Sequence, residues 1–423
     1  MRLAVIGAGY VGLATAVGFA ELGHEVICAE NDAARLSSLL AGMSPINEPG
    51  VPEALERRVR DKSLSFVREG TEAVEGVGAV FLCLPTPQGR DWTVDLSIVR
   101  EVVGEIKSQL AGGSVVVLKS TVPPGTSAEI RTLINRDDVG VVANPEFLRQ
   151  GSALVDFLQP DRIVVGGDPL DVSVVADLYR SLDAPILTMS AESAELVKYA
   201  ANSFLATKLT FVNAIADICE VVGADISDVV TGIAIDPRIG PQFLKPGPGW
   251  GGSCFPKDTR ALVTAARQLG YDFSLLRGVI ETNDSHYERI VEKVRRACGG
   301  DVASKTIAAW GLTFKAHTDD IRDSPAVSIL GRLATEGAVV TAFDPGARND
   351  QEFFSGLERQ AHPVDACRGA DALVVLTEWP IFSEIDPASV GAVMKSRAVI
   401  DGRNILDRER WEAAGFTYCG VGR

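Results

Sequence analysis

An apolar run at residues 2–6 is broken at once by Gly7-Ala8-Gly9-Tyr10-Val11-Gly12, and a further apolar stretch of helical length follows. Glycines so spaced permit a tight turn out of a strand and a close approach of backbone to ligand, while the helix that follows offers its unpaired N–H groups to phosphate. The strand at 25–29 then ends on Glu30, about 20 residues on, where a carboxylate accepts hydrogen bonds from ribose hydroxyls. Glu30, with Asp32 beside it, also repels a 2′-phosphate. Gly7, Gly9, Tyr10, Val11, Gly12 and Glu30 therefore predict a dinucleotide site that prefers NAD to NADP. The same opening run resembles a secretory leader, but the glycines at 7, 9 and 12 and the immediate second strand favour a buried strand, turn and helix.

Short apolar segments at 2–6, 25–29, 64–67, 79–84, 115–119 and 140–143 alternate with helical stretches, which predicts a doubly wound parallel sheet; 161–167 and 185–188 add two strands. From 193 to 222 the pattern becomes helical, with Leu196, Val197, Ala200, Phe204, Leu205, Leu209 and Val212 at three- and four-residue spacing. A second α/β pattern has strands at 306–310, 338–343, 372–376 and 398–401. The expected fold is α/β, two Rossmann-like doubly wound parallel-sheet lobes joined by a long central helix. Its expected domains are 1–192, carrying the dinucleotide site, a helical region at 193–300, and a second Rossmann-like lobe at 301–423.

A length of 423 residues suits two or three domains with sizeable cores. The net charge of −15 argues against nucleic acid as a partner, so any bound phosphate must be held by local amides, lysines and arginines. The cysteines at 28, 83, 219, 254, 298, 367 and 419 stand singly, which suggests neither a zinc site nor a disulfide framework and fits a reducing, cytoplasmic compartment. No metal ligands are expected, and no apolar run beyond the first suggests a membrane span.

Strand ends in an open parallel sheet are where ligands bind. Pro85-Thr86-Pro87, Ser120-Thr121-Val122-Pro123-Pro124-Gly125 and Asn144-Pro145-Glu146-Phe147-Leu148 follow three such ends, either as turn-forming prolines or as a wall for the nicotinamide. Farther on, Gly251-Gly252-Ser253-Cys254-Phe255-Pro256-Lys257-Asp258 places a thiol between open backbone and a helix start. The helix end and Lys257 favour the nucleophilic thiolate, and Asp258 lies one turn along. A lone cysteine is more often a small core residue, but a packed core does not need glycines beside it. Lys198 and Asn202 share a helix face, although most helical lysines are simply solvated.

Taken together, the Asn144–Arg149 segment, Leu196-Val197-Lys198-Tyr199-Ala200-Ala201-Asn202, the segment from Phe243 to Asp258, and Trp310-Gly311-Leu312-Thr313-Phe314-Lys315 resemble the UDP-glucose/GDP-mannose dehydrogenase family. The resemblance runs from the first residues to Asp401-Gly402-Arg403. It implies an NAD-dependent four-electron oxidation of a nucleotide sugar's primary alcohol, releasing two NADH. Cys254 then captures the aldehyde as a thiohemiacetal, which is oxidised to a thioester and hydrolysed. The resemblance further implies that Lys198 and Asn202 stabilise the oxyanion, that Asp258 and Thr121 position water, and that Glu146 assists hydrolysis. Cofactor contacts are carried over to Arg35, Thr86, Thr121, Glu146, Lys257 and Arg322. Substrate contacts are carried over to Glu146, Phe147, Leu148, Lys198, Asn202, Phe243, Leu244, Lys245, Gly247, Gly251, Lys315 and Arg403. Arg238 matches an arginine that reaches the neighbouring site of a homodimer.

Gln150, Ser152 and Trp250 depart from the family pattern, where Glu, Thr, and Tyr or Phe are usual. Gly151 points to the UDP-glucose branch. Alternatives are the same chemistry on dTDP-glucose, GDP-mannose or a UDP-N-acetylhexosamine; the first is the hardest to separate, since thymine differs from uracil by one methyl group, worth only about 1–3 kcal/mol of discrimination. A two-electron hydroxy-acid dehydrogenase or a non-catalytic NAD-binding protein would share only the glycine turn.

Overall fold

The computed structural model describes residues 1–89, 91–348 and 350–423. The chain divides into two compact units, Met1–Ala201 with Thr264–Gly270, and Asn202–Val263 with Tyr271–Arg423.

The first unit holds β1 (Arg2–Ile6), β2 (Glu25–Ala29), β3 (Leu64–Val67), β4 (Ala79–Leu82), β5 (Val115–Leu118), β6 (Gly140–Ala143), β7 (Ile163–Gly167) and β8 (Ile186–Met189). Among the described residues they form one sheet in the order β3-β2-β1-β4-β5-β6-β7-β8. β4, β5 and β6 are buried at every position and β1 at all but its first. Such uninterrupted Val, Ile, Leu and Ala runs belong to parallel strands covered on both faces. Strand order reverses between β1 and β4, so the connections leaving these two strands diverge and leave a crevice at their carboxyl ends.

One pairing differs from the all-parallel expectation. β7 runs antiparallel to β6, with Val142 opposite Gly167 and Ala143 opposite Gly166. The link between them contains the short helix Ala153–Leu158 and does not cross back over the sheet, so β7 starts at the edge where β6 ends. Glu146, Phe147 and Leu148 are thereby kept at the ligand edge.

In the second unit β9 (Thr306–Trp310), β10 (Val339–Phe343), β11 (Leu357–Arg359), β12 (Ala372–Val375), β13 (Ala398–Asp401) and β14 (Thr417–Cys419) form a sheet in the order β11-β10-β9-β12-β13-β14. Every pairing in it is parallel. One face packs Ile307, Leu330, Val340 and Ile400, and the other Trp310, Phe382 and Trp411. Trp310 stacks on Phe382 with ring centroids 5.3 Å apart, and truncating such a buried aromatic costs about 3–5 kcal/mol. The order again reverses between β9 and β12, which sets Gly311–Lys315 and Gly402-Arg403 at the carboxyl edge.

The helix Ala191–Val222 starts in the first unit and ends in the second. It is followed by the cysteine helix Phe255–Gln268 and the helix Ser274–Ala297. No helix among the described residues is long and apolar enough to cross a membrane.

Candidate active site

The glycine turn is built for close approach. Gly7 has φ +96°, and a Cβ there would stand 2.7 Å from the Cys83 carbonyl oxygen; one on Gly12 would stand 1.8 Å from the Gly7 carbonyl. Gly9 is different, since a Cβ there would meet nothing within 4 Å. Gly9 caps the helix Tyr10–Glu21 without a side chain of its own, so no side-chain cap takes up the first N–H groups. Tyr10 turns its hydroxyl inward, where burial and the neighbouring Glu48 carboxylate push its ionisation well up, and Val11 packs against the core of the first sheet.

Glu30 is buried and organises the turn from below. Its Oε2 accepts the Ala8 N–H at 3.2 Å and pairs with Arg35 at 2.9 Å, while Oε1 accepts the Asp32 N–H at 2.9 Å. A carboxylate has about four lone-pair sites, so Oε1 retains capacity for a ribose hydroxyl. An open cradle at Gly9, uncapped helix N–H groups and an acceptor at the end of β2 fit a dinucleotide.

Beside the turn, the Thr86 hydroxyl donates to the Thr121 carbonyl at 3.1 Å. Lys198 is buried and not solvated as most helical lysines are, with Nζ 3.0 Å from Glu146 Oε1 and 5.4 Å from the Phe147 ring centre. The other Glu146 oxygen accepts the Leu148 N–H at 2.6 Å, which fixes the loop that carries Phe147 and Leu148. Arg162 also lies over the Phe147 ring, 3.7 Å from its centre.

In the second unit Cys254 is exposed, and its carbonyl accepts the Asp258 N–H at 2.9 Å, so the thiol sits at the cap position of the cysteine helix. Ser253 Oγ lies 3.7 Å from its sulfur. Asp258 is buried in the first turn of that helix; Oδ2 accepts from Asn202 at 2.6 Å and Oδ1 lies 2.8 Å from Lys257 Nζ. The glycines before the cysteine are close-packed: a Cβ on Gly251 would stand 2.0 Å from the Asp323 carbonyl oxygen, and Gly252 has φ +82° against Phe314.

The preceding loop is pinned by residues the sequence did not single out. Asn283 exchanges hydrogen bonds with the Trp250 backbone, Trp250 Nε1 donates to Thr210 at 2.8 Å, and the Tyr287 hydroxyl donates to the Trp250 carbonyl at 2.7 Å. Asn213 accepts the Gly247 N–H, and His286 Nε2 lies 2.8 Å from the Gly247 carbonyl oxygen. Nothing but their place on the helix faces identifies them, and helical spacing alone does not say which polar residue turns inward.

Leu244 is buried, Phe243 is partly exposed with φ +61°, and Lys245 is exposed. Arg403 is fixed by the Leu376 and Phe314 carbonyls at 2.8 and 3.0 Å, next to Gly247 and to the half-buried Lys315. Arg322 pairs with Asp320 at 2.6 Å. Arg238 stands exposed and pairs with Asp236 at 2.6 Å.

Three family models match consecutive parts of the chain: the NAD binding domain at 1–183, the central domain at 192–285 and the UDP binding domain at 308–408. The chain belongs to the UDP-glucose/GDP-mannose dehydrogenase family. It is 43% identical to a UDP-glucose 6-dehydrogenase of Rhizobium meliloti, with 100% of both chains covered. It is 40% identical to one of Bacillus subtilis, covering 100% of this chain and 93% of that one. Among solved structures it is similar to a UDP-glucose dehydrogenase of Pyrobaculum islandicum, with TM-score 0.91, 34% identity and coverage of 100% and 97%. As a member of this family the chain is an NAD-dependent oxidoreductase acting on a nucleotide sugar, with the glycine turn in its NAD binding domain and Lys315 and Arg403 in its UDP binding domain.

Proposed function

We propose that this dehydrogenase oxidises the C6 alcohol of UDP-glucose to the carboxylate of UDP-glucuronate, with Cys254 as covalent nucleophile. The observation that carries the reading is an exposed thiol at a helix cap, one turn from a buried Asp258 that is held by Asn202. The names of the relatives at 40% and 43% identity support the substrate.

NAD, when bound, supplies the acceptor for the hydride lost at each of two oxidations. In the first oxidation C6 loses a hydride and its hydroxyl loses a proton to solvent, which leaves an aldehyde. The Cys254 sulfur adds to its carbon, a C–S bond forms, and the oxygen takes a proton to give the thiohemiacetal. Loss of a second hydride and of that proton gives the thioester. Water then attacks, the C–S bond breaks, and carboxylate, thiol and a proton result. Lys198 and the Asn202 amide stabilise charge on the reacting oxygen, a role suited to donors already fixed in a water-poor site. Glu146 takes a proton from water during hydrolysis, with Thr121 and Asp258 orienting that water. Gly7, Gly9, Tyr10, Val11, Gly12, Glu30, Arg35, Thr86, Thr121, Glu146, Lys257 and Arg322 hold the cofactor.

The proposed division of labour gives residues 1–192 to NAD, 301–423 to the nucleotide sugar and 193–300 to pairing of two copies. The long helix supports the last point, because Phe204, Phe211 and Ile218 recur every seven residues and are all more than half exposed. Seven free thiols suit a reducing cytoplasm.

The test is stoichiometric. Wild-type enzyme with limiting UDP-glucose is expected to release two NADH per sugar, and Cys254→Ser to lose turnover while still binding NAD and UDP-glucose. One NADH per sugar, or undiminished turnover in the serine variant, overturns the thioester route. Parallel assays with dTDP-glucose, GDP-mannose and UDP-N-acetylhexosamines decide the substrate.

A further inference from the structure

Thr121 lies on a loop of Thr, Val and two prolines between β5 and the helix Thr126–Ile134, a segment with few backbone donors of its own. What holds that loop is a residue outside every motif considered so far. Glu195 is buried, and its carboxylate accepts the Gly125 N–H at 2.6 Å, the Ser127 N–H at 2.7 Å and the Ser127 hydroxyl at 2.7 Å. Gly125 caps the Thr126–Ile134 helix with no side chain, so Glu195 acts as that helix's cap from another element.

Glu195 is also three residues before Lys198 on the long helix, so the two side chains share a face. Glu195, Lys198, Thr121, Ser120, Val122 and Pro145 line a cavity of about 10 Å³, about the space one water occupies. The loop end bearing Thr121 and the lysine are thus referenced to one rigid helix through a single carboxylate.

We infer that Glu195 is a positioning residue for the reaction, setting Thr121 against Lys198 by clamping the start of the Thr126–Ile134 helix. The inference rests on the reaction proposed above. Glutamine at this position keeps one acceptor oxygen but turns an NH₂ toward a backbone N–H, so the clamp loosens without loss of side-chain volume. Alanine removes it altogether. Ser127→Ala removes one hydroxyl donor and leaves the cap in place.

The experiment compares steady-state kinetics, with UDP-glucose and NAD, of wild type, Glu195→Gln, Ser127→Ala and Thr121→Ala, and of Glu195→Gln and Ser127→Ala in the Thr121→Ala background. Misplacement by about an ångström can cost on the order of 10²-fold. Glu195→Gln is expected to lower kcat by about 10- to 100-fold with a smaller change in KM, and Ser127→Ala to lower it several-fold. Both effects should shrink to less than about twofold once Thr121 is alanine, because the clamp then has nothing to position. Effects that multiply unchanged in the Thr121→Ala background, or an unaltered kcat in Glu195→Gln, overturn the inference. Should Glu195→Gln not fold, Ser127→Ala decides by the same criterion. A wild-type enzyme that fails to give two NADH per UDP-glucose refutes the reaction instead, a result distinct from any of these.

Discussion

Lys119 is the residue whose chemistry least suits its surroundings. It is buried at the end of β5, where Nζ donates to Asn144 Oδ1 at 3.1 Å and lies 3.4 Å from the Tyr179 hydroxyl, and neither partner is charged. Burial is the largest influence on it and pulls its pKa from the ordinary 10.5 down to about 8. In the unfolded chain it titrates near the ordinary value, so between those two pH values the unfolded state binds more protons than the folded one. Stability therefore rises with pH through that window, and the cost of the buried charge is fully present below it. Lys119→Met is expected to stabilise the protein at pH 7 by up to about 3 kcal/mol, less the lost hydrogen bonds. Asn144 keeps the Tyr179 hydroxyl at 2.6 Å as donor. Denaturant midpoints at pH 7 to 10.5 check this: the advantage of the methionine variant should vanish toward the upper end. A variant that is less stable at pH 7, by a margin independent of pH, sinks the argument.

At the scale of elements, the glycine turn separates packing from binding. Gly12→Ala drives a methyl into the Gly7 carbonyl at 1.8 Å and should lower both thermal stability and NAD affinity. Gly9→Ala meets nothing within 4 Å, so its Tm should stay within about 2 °C of wild type while its KM for NAD rises, because the methyl enters space reserved for the phosphates. A Gly9→Ala enzyme with unaltered KM for NAD refutes that assignment of the open space. This turn was legible in the sequence because only glycine tolerates such approach, and the buried strands were legible because apolar runs of that length have few other uses. Strand ends were less so: residues 83 and 84 are apolar and buried, yet they lie in the turn after β4. β11 and β14 are three residues long with partly exposed side chains, too short for any periodicity to register. The reversed direction of β7 depends on where its connection runs, which no local pattern records. Glu195, Asn283 and His286 went unseen for a related reason, since a polar residue on a helix looks the same whether it faces water or a loop it holds.

For the whole molecule, the question is whether one chain suffices for catalysis. The apolar stripe through Phe204, Phe211 and Ile218 would be an aggregation hazard on a monomer, and its seven-residue repeat matches a helix-to-helix seam. Arg238 supplies the functional side of the argument, being exposed and paired with the nearby Asp236. If its guanidinium serves the partner's substrate, two defective chains should repair each other. In a mixed dimer of Arg238→Ala and Cys254→Ser subunits, the site with an intact cysteine also receives an intact arginine, whereas the other site lacks both. Random exchange makes half the dimers mixed with one good site each, so a mixture of the two variants should recover about a quarter of wild-type activity. Phe211→Glu, which sets like charges against each other across the seam, should shift sedimentation toward the monomer and abolish that recovery. If Arg238 acts within its own chain, mixing restores nothing beyond the sum of the two variants, and the dimer, even if present, is not what completes the site.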